Sequence, residues 1–544
     1  MATSVGQADR VGVYDYVIVG AGSAGCVLAN RLSAESRARV LLLEAGGADR
    51  HPFIEVPLGL GMLYRYRMFD WGYNSEPQPG LGGRVMPLPR GKVMGGSSST
   101  NFLAFTRGNP GDYDRWSAMG LPGWSFQDVL PYFQRLESWA GPPSAFRGTS
   151  GPVGVEFARS NDPLFDAMIA AGVAAGHPKT DDYNGADPVG FGRAQFSIRN
   201  GRRSSTSAAY LRPAANRKNL SIRRGALVHR VIIEKTRARG VEFMAGGQIE
   251  RAMAEREVIL CGGTYNTPQL LMLSGIGPAG HLHEHGIKPH ADLAVGSNLQ
   301  DHLFVPMQWK RRGYGSFYRT MRADRIGASL IQAYAFGTGA GTVIPSAAHA
   351  FLKTQSSEPV PDIEFLFRAA PPDPRPWFPR FAPPYTEVYS IAPVILHPKS
   401  RGQVRLRSSD PSVPAHIDSH YLEDAADVVK LREGVAMVRA VARQASLRDF
   451  DDGELAPGPA VSTDGDVDAY IRKMAMSVSH PVGTARMGGD ADPDAVLDVN
   501  LRVRGIDALR VVDASAMPDL VSAHTNACVI MMAEKAADII AAVP

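Results

Sequence analysis

Apolar and polar positions alternate in blocks from the start of the chain. Residues Tyr16 to Val19 are continuously apolar or aromatic and run into Gly20, Gly22 and Gly25. A short apolar run bounded by glycine predicts a buried strand, and the patterning after it predicts a helix over about Ser23 to Leu32. A second apolar run, Arg39 to Leu43, predicts a strand that ends at Glu44. Helical periodicity then covers 111–137, a short capped helix is predicted over Ser204 to Leu211, and strands are predicted over 220–223, 228–234, 240–244 and 257–261. The last of these passes through Gly262 and Gly263 into a helix at 269–274. Such a return to strand, glycine and helix predicts that residues near 260 rejoin the lobe that opens the chain, so that the lobes are interleaved. A well-patterned helix follows Thr525 to about Ala541.

The glycines carry the first chemistry. In the spacing G-x-G-x-x-G, Gly20 permits a tight turn, Gly22 lets the backbone approach a pyrophosphate, and Gly25 lets the helix press on the strand. The helix that begins at Ser23 and Ala24 aims its N–H groups and dipole at the phosphates. Glu44, about 20 residues past the last glycine, is placed to accept from a ribose hydroxyl. Strand, helix and acid together indicate a dinucleotide site of Rossmann type. An acid at Glu44 disfavours NADP and leaves NAD and FAD open.

Composition narrows the class without changing this picture. At 544 residues the chain exceeds one ordinary core, so at least two lobes are expected. With 44% hydrophobic and 21% charged residues it reads as globular, and a net charge of +4 is too small a bias for a nucleic-acid partner. Cys26, Cys261 and Cys528 have neither disulfide-like nor metal-ligand spacing, which fits a reducing compartment and no metal site. The N-terminus has no apolar leader core, and no apolar run reaches the length of a membrane span, so a cytoplasmic protein is expected. In 311–325, five arginines alternate with aromatic residues. That is a solvated face, or an amphipathic segment able to touch a membrane. The proline-rich, aromatic stretch 369–385 excludes regular structure and suits a lid or an inter-lobe contact.

Two further kinds of block stand out. Pro89 to Phe102 holds Arg90, Val93, Gly95, Gly96, Ser98, Thr100 and Asn101 in a glycine- and serine-rich run that offers donors and close backbone approach. Near the C-terminus, His480 precedes a Pro-Val-Gly-Thr turn, while Asp513 and Ala514 lead to His524, Thr525 and Asn526 at a helix start.

Taken together, GAGSAG with Glu44, PRGKVMGGSSSTN, GGTYNTPQLLMLSGIGP, VGSNLQDH and SHPVGTARMG resemble, in order, the signature blocks of the glucose-methanol-choline family of flavin oxidoreductases. The likeness spans Tyr14 to Ile540. It implies FAD, with an α/β FAD-binding domain at 1–160, 200–310 and 475–544 and a substrate-binding domain on an antiparallel sheet at 161–199 and 311–474. The family's N-terminal region corresponds to about 14–310 and its C-terminal region to about 397–540. The resemblance makes His480 the general base that takes the hydroxyl proton during hydride transfer to flavin N5, and His524 its partner. It places Gly20, Gly22, Ser23, Ala24, Gly25, Glu44 and Ala45 at the adenosine and pyrophosphate end, with Val228 at the adenine. Arg90, Val93, Gly95, Gly96, Ser98, Asn101 and Phe102 are cofactor-binding in the same comparison, with Asn101 beside the isoalloxazine. Asp513 and Ala514 fall along the ribityl chain and pyrophosphate, and Thr525 and Asn526 at the pyrimidine.

Two departures from the family pattern refine this. Members that bind FAD covalently carry a histidine where this chain has Thr100, so non-covalent FAD is expected. Choline-oxidising members place a glutamate where this chain has Ala347, and 341–354 contains no acid, so a cationic substrate loses its partner. The expected reaction is oxidation of a neutral primary alcohol, aromatic or medium-chain, to the aldehyde, with oxygen or a quinone-like acceptor. A hydroxynitrile lyase or a choline dehydrogenase-like enzyme are the alternatives.

Overall fold

The structure is a computed structural model that describes residues 9–34 and 37–542. The stretch read above for a leader therefore lies partly outside the described residues. The first strand, Asp9–Val19, runs between Val40–Glu44 and Gln248–Leu260, parallel to both. Val17 and Ile18 are fully buried there, as a strand covered on both faces requires. Leu220–Arg224 extends the sheet on one side. Arg237–Ala245 and Ala226–Glu234 extend it antiparallel on the other, with Leu509–Val511 pairing Gln248–Leu260. Val19 is level with both Leu43 and Leu260, so three strands end together and open a crevice at their carboxyl ends.

Glycine decides how that crevice closes. A Cβ at Gly25 would lie 1.9 Å from the carbonyl oxygen of Gly20, so only glycine lets the helix Ser23–Leu32 sit this close to its strand. The C-terminal helix Thr525–Ala541 packs beside it, and Glu534, fully buried, ties the pair together by accepting from Arg31 and Tyr210.

A second sheet is ordered 451–456, 308–311, 388–395, 363–368, 348–352, 190–193, with short strands at 303–304 and 476–477 joined to it. Its pairings are antiparallel. The chain first contributes Gly190–Arg193 to this sheet, returns to it at Leu303 and leaves it after Ser477. The helix Ala425–Ala442 covers its outer face. The other face turns toward the first sheet.

Three sequence expectations change here. The helical stretch 111–137 is two helices, Pro110–Ala118 and Phe126–Leu136, because Gly120 and Gly123 both take φ +83° between them and Ser125 opens a new capping box. Residues 311–325 are not one amphipathic surface segment: Arg311 is buried in a strand against Asp162, at 2.7 Å, and helices begin only at Ser316 and Ala323. Ser207–Leu211 is a wide helical turn that continues into Arg212–Ala214. No helix among the described residues is long and apolar enough to cross a membrane. Residues 369–385 form no helix or strand, and Trp377 stacks on Tyr318 at 4.9 Å.

Candidate active site

Between the two sheets lies a cavity of about 1620 Å³. At one end it is lined by Gly20, Gly22, Ser23, Ala24, Glu44, Ala45 and Val228. The helix at Ser23 begins with no side-chain cap, which leaves its first N–H groups for a ligand. A Cβ on Gly22 would meet protein only at 3.9 Å, so the protein itself does not demand glycine there, whereas at Gly20 it would lie 2.5 Å from the carbonyl oxygen of Cys261. Glu44 accepts from the N–H of Ala21 and of Gly46, each at 2.8 Å, and burial pushes its pKa up to about 7. Two lone pairs remain for a ribose hydroxyl.

Further along, Arg90, Gly96, Thr100, Asn101 and Phe102 line the cavity. Arg203 holds the Asn101 carbonyl oxygen at 2.8 Å, leaving the amide NH₂ free to face a ligand. Asp513 and Ala514 line it as well; Asp513 accepts from Gly263 N–H and the Thr267 hydroxyl, joining its own segment to the glycine turn at 262–267. Gly25, Val93, Gly95 and Ser98 stand behind the wall. Val93 is buried with Ile54 and Leu63, the N–H of Gly95 goes to Ala21, and the hydroxyl of Ser98 goes to Thr206 or the Gly95 carbonyl. These four shape the cradle through protein contacts from behind its wall.

The far end holds imidazoles. His480, 9% exposed, and His524 line the cavity with ring centroids 4.7 Å apart. His524 is the N-cap of the last helix, and Thr525 and Asn526 follow on the wall, with Asn526 accepting from Ser23 at 2.7 Å. His480 is held from both sides by the Gln-Asp-His block: Asp301 accepts its backbone N–H at 2.7 Å, and His302 Nδ1 lies 3.0 Å from its Nδ1. The preceding residue, Ser479, takes φ +67°, a left-handed conformation for a non-glycine, and Arg90 grips its carbonyl at 2.6 Å.

These contacts settle the tautomer of His480. The Leu396 carbonyl, 2.9 Å from His302 Nε2, can only accept, so that nitrogen carries the proton. Burial pushes His302 down to about 3, so the ring is neutral and its Nδ1 is a bare acceptor. His480 must then donate from Nδ1, which leaves Nε2 as its free lone pair. Burial first, and the neighbouring His524 and His302 next, hold the pKa of His480 well below the ordinary histidine value. It is therefore an unprotonated base at neutral pH.

His524 has a different backing. Its Nε2 donates to Glu364 Oε1 at 2.9 Å, and His349, stacked on His524 at 5.5 Å, puts its Nδ1 3.5 Å from the same oxygen. Glu364 is fully buried behind both rings and does not line the cavity. Burial acts to raise its pKa, but His524, His349 and His302 outweigh it and hold the group below the usual carboxylate range. Burial pushes His349 down to about 4. The ligand atoms of His349, Glu364 and His524 lie within 4.8 Å of one another, but the 2.9 Å contact is that of a hydrogen bond.

Sequence reasoning missed His302, His349 and Glu364. The signal for Glu364 was an acid inside the apolar run Ile-Glu-Phe-Leu-Phe. It pairs across the strands with Phe351, inside the segment found empty of acids. Ala347, the position compared with the choline glutamate, is buried off the cavity wall.

The sequence matches the GMC oxidoreductase N-terminal family model over 14–304 and the C-terminal model over 398–533. The chain belongs to the GMC oxidoreductases. It is 40% identical to an oxygen-dependent choline dehydrogenase of Photobacterium profundum, covering 97% of this chain and 93% of that one. It is 41% identical to another from Sinorhizobium fredii, over 96% and 95%. Among solved structures it resembles pyridoxine 4-oxidase from Mesorbium loti, with 32% identity, a TM-score of 0.86 and coverage of 96% and 98%. It also resembles formate oxidase from Aspergillus oryzae, with 25% identity, a TM-score of 0.89 and coverage of 98% and 99%. The GMC assignment makes the dinucleotide FAD, and the chain is an oxidoreductase acting on CH–OH groups. The uncapped helix start, the unobstructed Gly22 and the free face of Glu44 fit its adenosine diphosphate half.

Proposed function

We propose that this GMC oxidoreductase oxidises a primary alcohol without a cationic group, aromatic or medium-chain, to the aldehyde. The observation that carries this reading is the neutral His480 on the cavity wall, whose Nδ1 is committed to His302 and whose Nε2 is left to accept a hydroxyl proton. FAD, when bound, supplies the hydride acceptor. The protein's part is to place the carbinol oxygen between His480 and His524, to take its proton at His480 Nε2, and to hold counter-charge nearby through Glu364. A positioned general base is worth about 10² to 10⁴ in rate.

The absence of a free acid on the wall supports a non-cationic substrate. Among the described residues the acids on the cavity wall other than Glu44 and Asp513 are Asp70 and Asp373, and each is paired with arginine, Asp70 with Arg67 at 2.7 Å and Asp373 with Arg65 at 3.3 Å. Glu364 is withdrawn behind the imidazoles. Choline, which the curated relatives are named for, would meet no unpaired carboxylate among the described residues at that end. Thr100 on the wall, having no imidazole, supports non-covalent FAD.

Anaerobic mixing of the holoenzyme with benzyl alcohol, 1-octanol and choline tests this. Flavin bleaching by the first two and not by choline is expected; bleaching by choline alone would overturn the reading, and no bleaching by any alcohol would favour a lyase. Admitting oxygen afterwards identifies or excludes it as the acceptor.

A further inference from the structure

One face of the strand Ile363–Arg368 runs along the cavity from the histidines outward. Its alternate residues Ile363, Phe365 and Phe367 are buried in the core, so Glu364, Leu366 and Arg368 share the opposite face. Glu364 stands behind His524, while Leu366 and Arg368 line the cavity. At about 3.3 Å per residue, the Cα of Arg368 lies roughly 13 Å from that of Glu364. That Cα spacing is of the size of one ring, or a chain of a few carbons, together with the reach of the side chains at its two ends.

The charges at this end do not balance. Arg67 is taken by Asp70. Asp373 is shared by Arg65, at 3.3 Å, and Arg375, at 3.4 Å, and it also lies close enough to act on Arg368. Three guanidinium groups thus surround one carboxylate. Arg368 forms no ion pair among the described residues and makes one hydrogen bond, at 3.2 Å to the carbonyl of Pro372. A guanidinium offers five donors in a planar fork suited to a carboxylate. Burial pulls its pKa below the ordinary arginine value, and Asp373 opposes this only in part, so an anion arriving there relieves a desolvated charge.

We propose that Arg368 binds a carboxylate carried at the far end of the substrate, so that the preferred alcohol is an aromatic or short-chain hydroxymethyl acid and wholly uncharged alcohols react as poorer substrates. This rests on the reading that the carbinol sits at His480, and it explains in the same terms why a quaternary ammonium is disfavoured.

The test separates the two readings by using unreactive probes. Holoenzyme is titrated with 4-methylbenzoate and with 4-methylbenzamide, following the flavin absorbance, in wild type, Arg368→Met and Arg368→Lys, with FAD content checked for each. A charge-assisted hydrogen bond corresponds to about a tenfold to hundredfold effect. The benzoate should bind at least about tenfold tighter than the amide to wild type, lose that advantage in Arg368→Met, and keep part of it in Arg368→Lys at low salt. Equal affinities in wild type would overturn the proposal. So would an unchanged benzoate preference in Arg368→Met, or an equal loss for both probes, which would mark Arg368 as a staple for the loop at Pro372. A carboxylate preference without bleaching by any alcohol would leave this site standing and sink the activity.

Discussion

His302 and His480 meet nitrogen to nitrogen at 3.0 Å, and the carbonyl of Leu396 behind His302 fixes which of the two carries the shared proton. Replacing His302 by leucine frees His480 to adopt either tautomer and leaves its Nδ1–H without an acceptor. Flavin reduction in His302→Leu should slow by about ten- to a hundredfold, less than loss of the base itself, while FAD content stays at the wild-type level. Anaerobic stopped-flow with a competent alcohol reads both, and a wild-type bleaching rate would remove His302 from the proton path.

For the base, the expected loss is larger. His480→Ala should slow the same bleaching by about 10² to 10⁴. Many other wall residues, Gly20, Gly22 and Glu44 among them, are untouched by the change, so retention of FAD should be nearly unchanged. Equal losses in rate and in FAD retention would mean that His480 serves the fold.

Glu364 acts through His524. Glu364→Leu removes the acceptor for His524 Nε2 and the neighbour of His349 Nδ1, both in a buried region. An orphaned buried donor costs about 1 to 3 kcal/mol, which urea denaturation of the variant should show. Glu364→Gln keeps an acceptor and should recover much of that stability but not the rate, because it lacks the carboxylate charge.

Acid should weaken the fold through these imidazoles. His302 is held down to about 3 and His349 to about 4, against an ordinary value near 6.5, so the unfolded chain binds protons that the folded one refuses. Their contribution is complete above pH 6.5 and is lost as pH falls toward those folded values, at up to about 1.4 kcal/mol per group per pH unit. Urea midpoints measured from pH 7.5 down to 5 should fall, and should fall less steeply in His349→Asn. Identical slopes would refute the assignment.

Thr100 gives a simple colour test. Acid precipitation of the holoenzyme should leave the yellow in the supernatant; a yellow pellet would mean a covalent bond formed at some other side chain.

Much of the fold was legible because the signals are local. Tyr16 to Glu44 specifies strand, turn, helix and strand by burial period and glycine, and the helix at Ser23–Leu32 falls where its pattern put it. The break at 120–125 was less legible, since two helices in phase look like one unless Gly120 and Gly123 are read as turns. The basic, aromatic segment at 311–325 misled for another reason: composition cannot say that Arg311 faces inward to Asp162, 149 residues earlier in the chain.

By itself the sequence determined the strand-glycine-helix cradle and, through its motif blocks, the family, because each depends on residues close together in the chain; the resemblance to that family is what pointed to His480 and His524. What surrounds those histidines was decided only by tertiary structure. His302 reaches His480 across 178 residues and Glu364 reaches His524 across 160. Cross-strand register places Glu364 opposite Phe351, so the acid missing from one segment stands on the next strand. A proton's position and a buried charge's partner depend on distances of about 3 Å in space, which spacing along the chain does not encode.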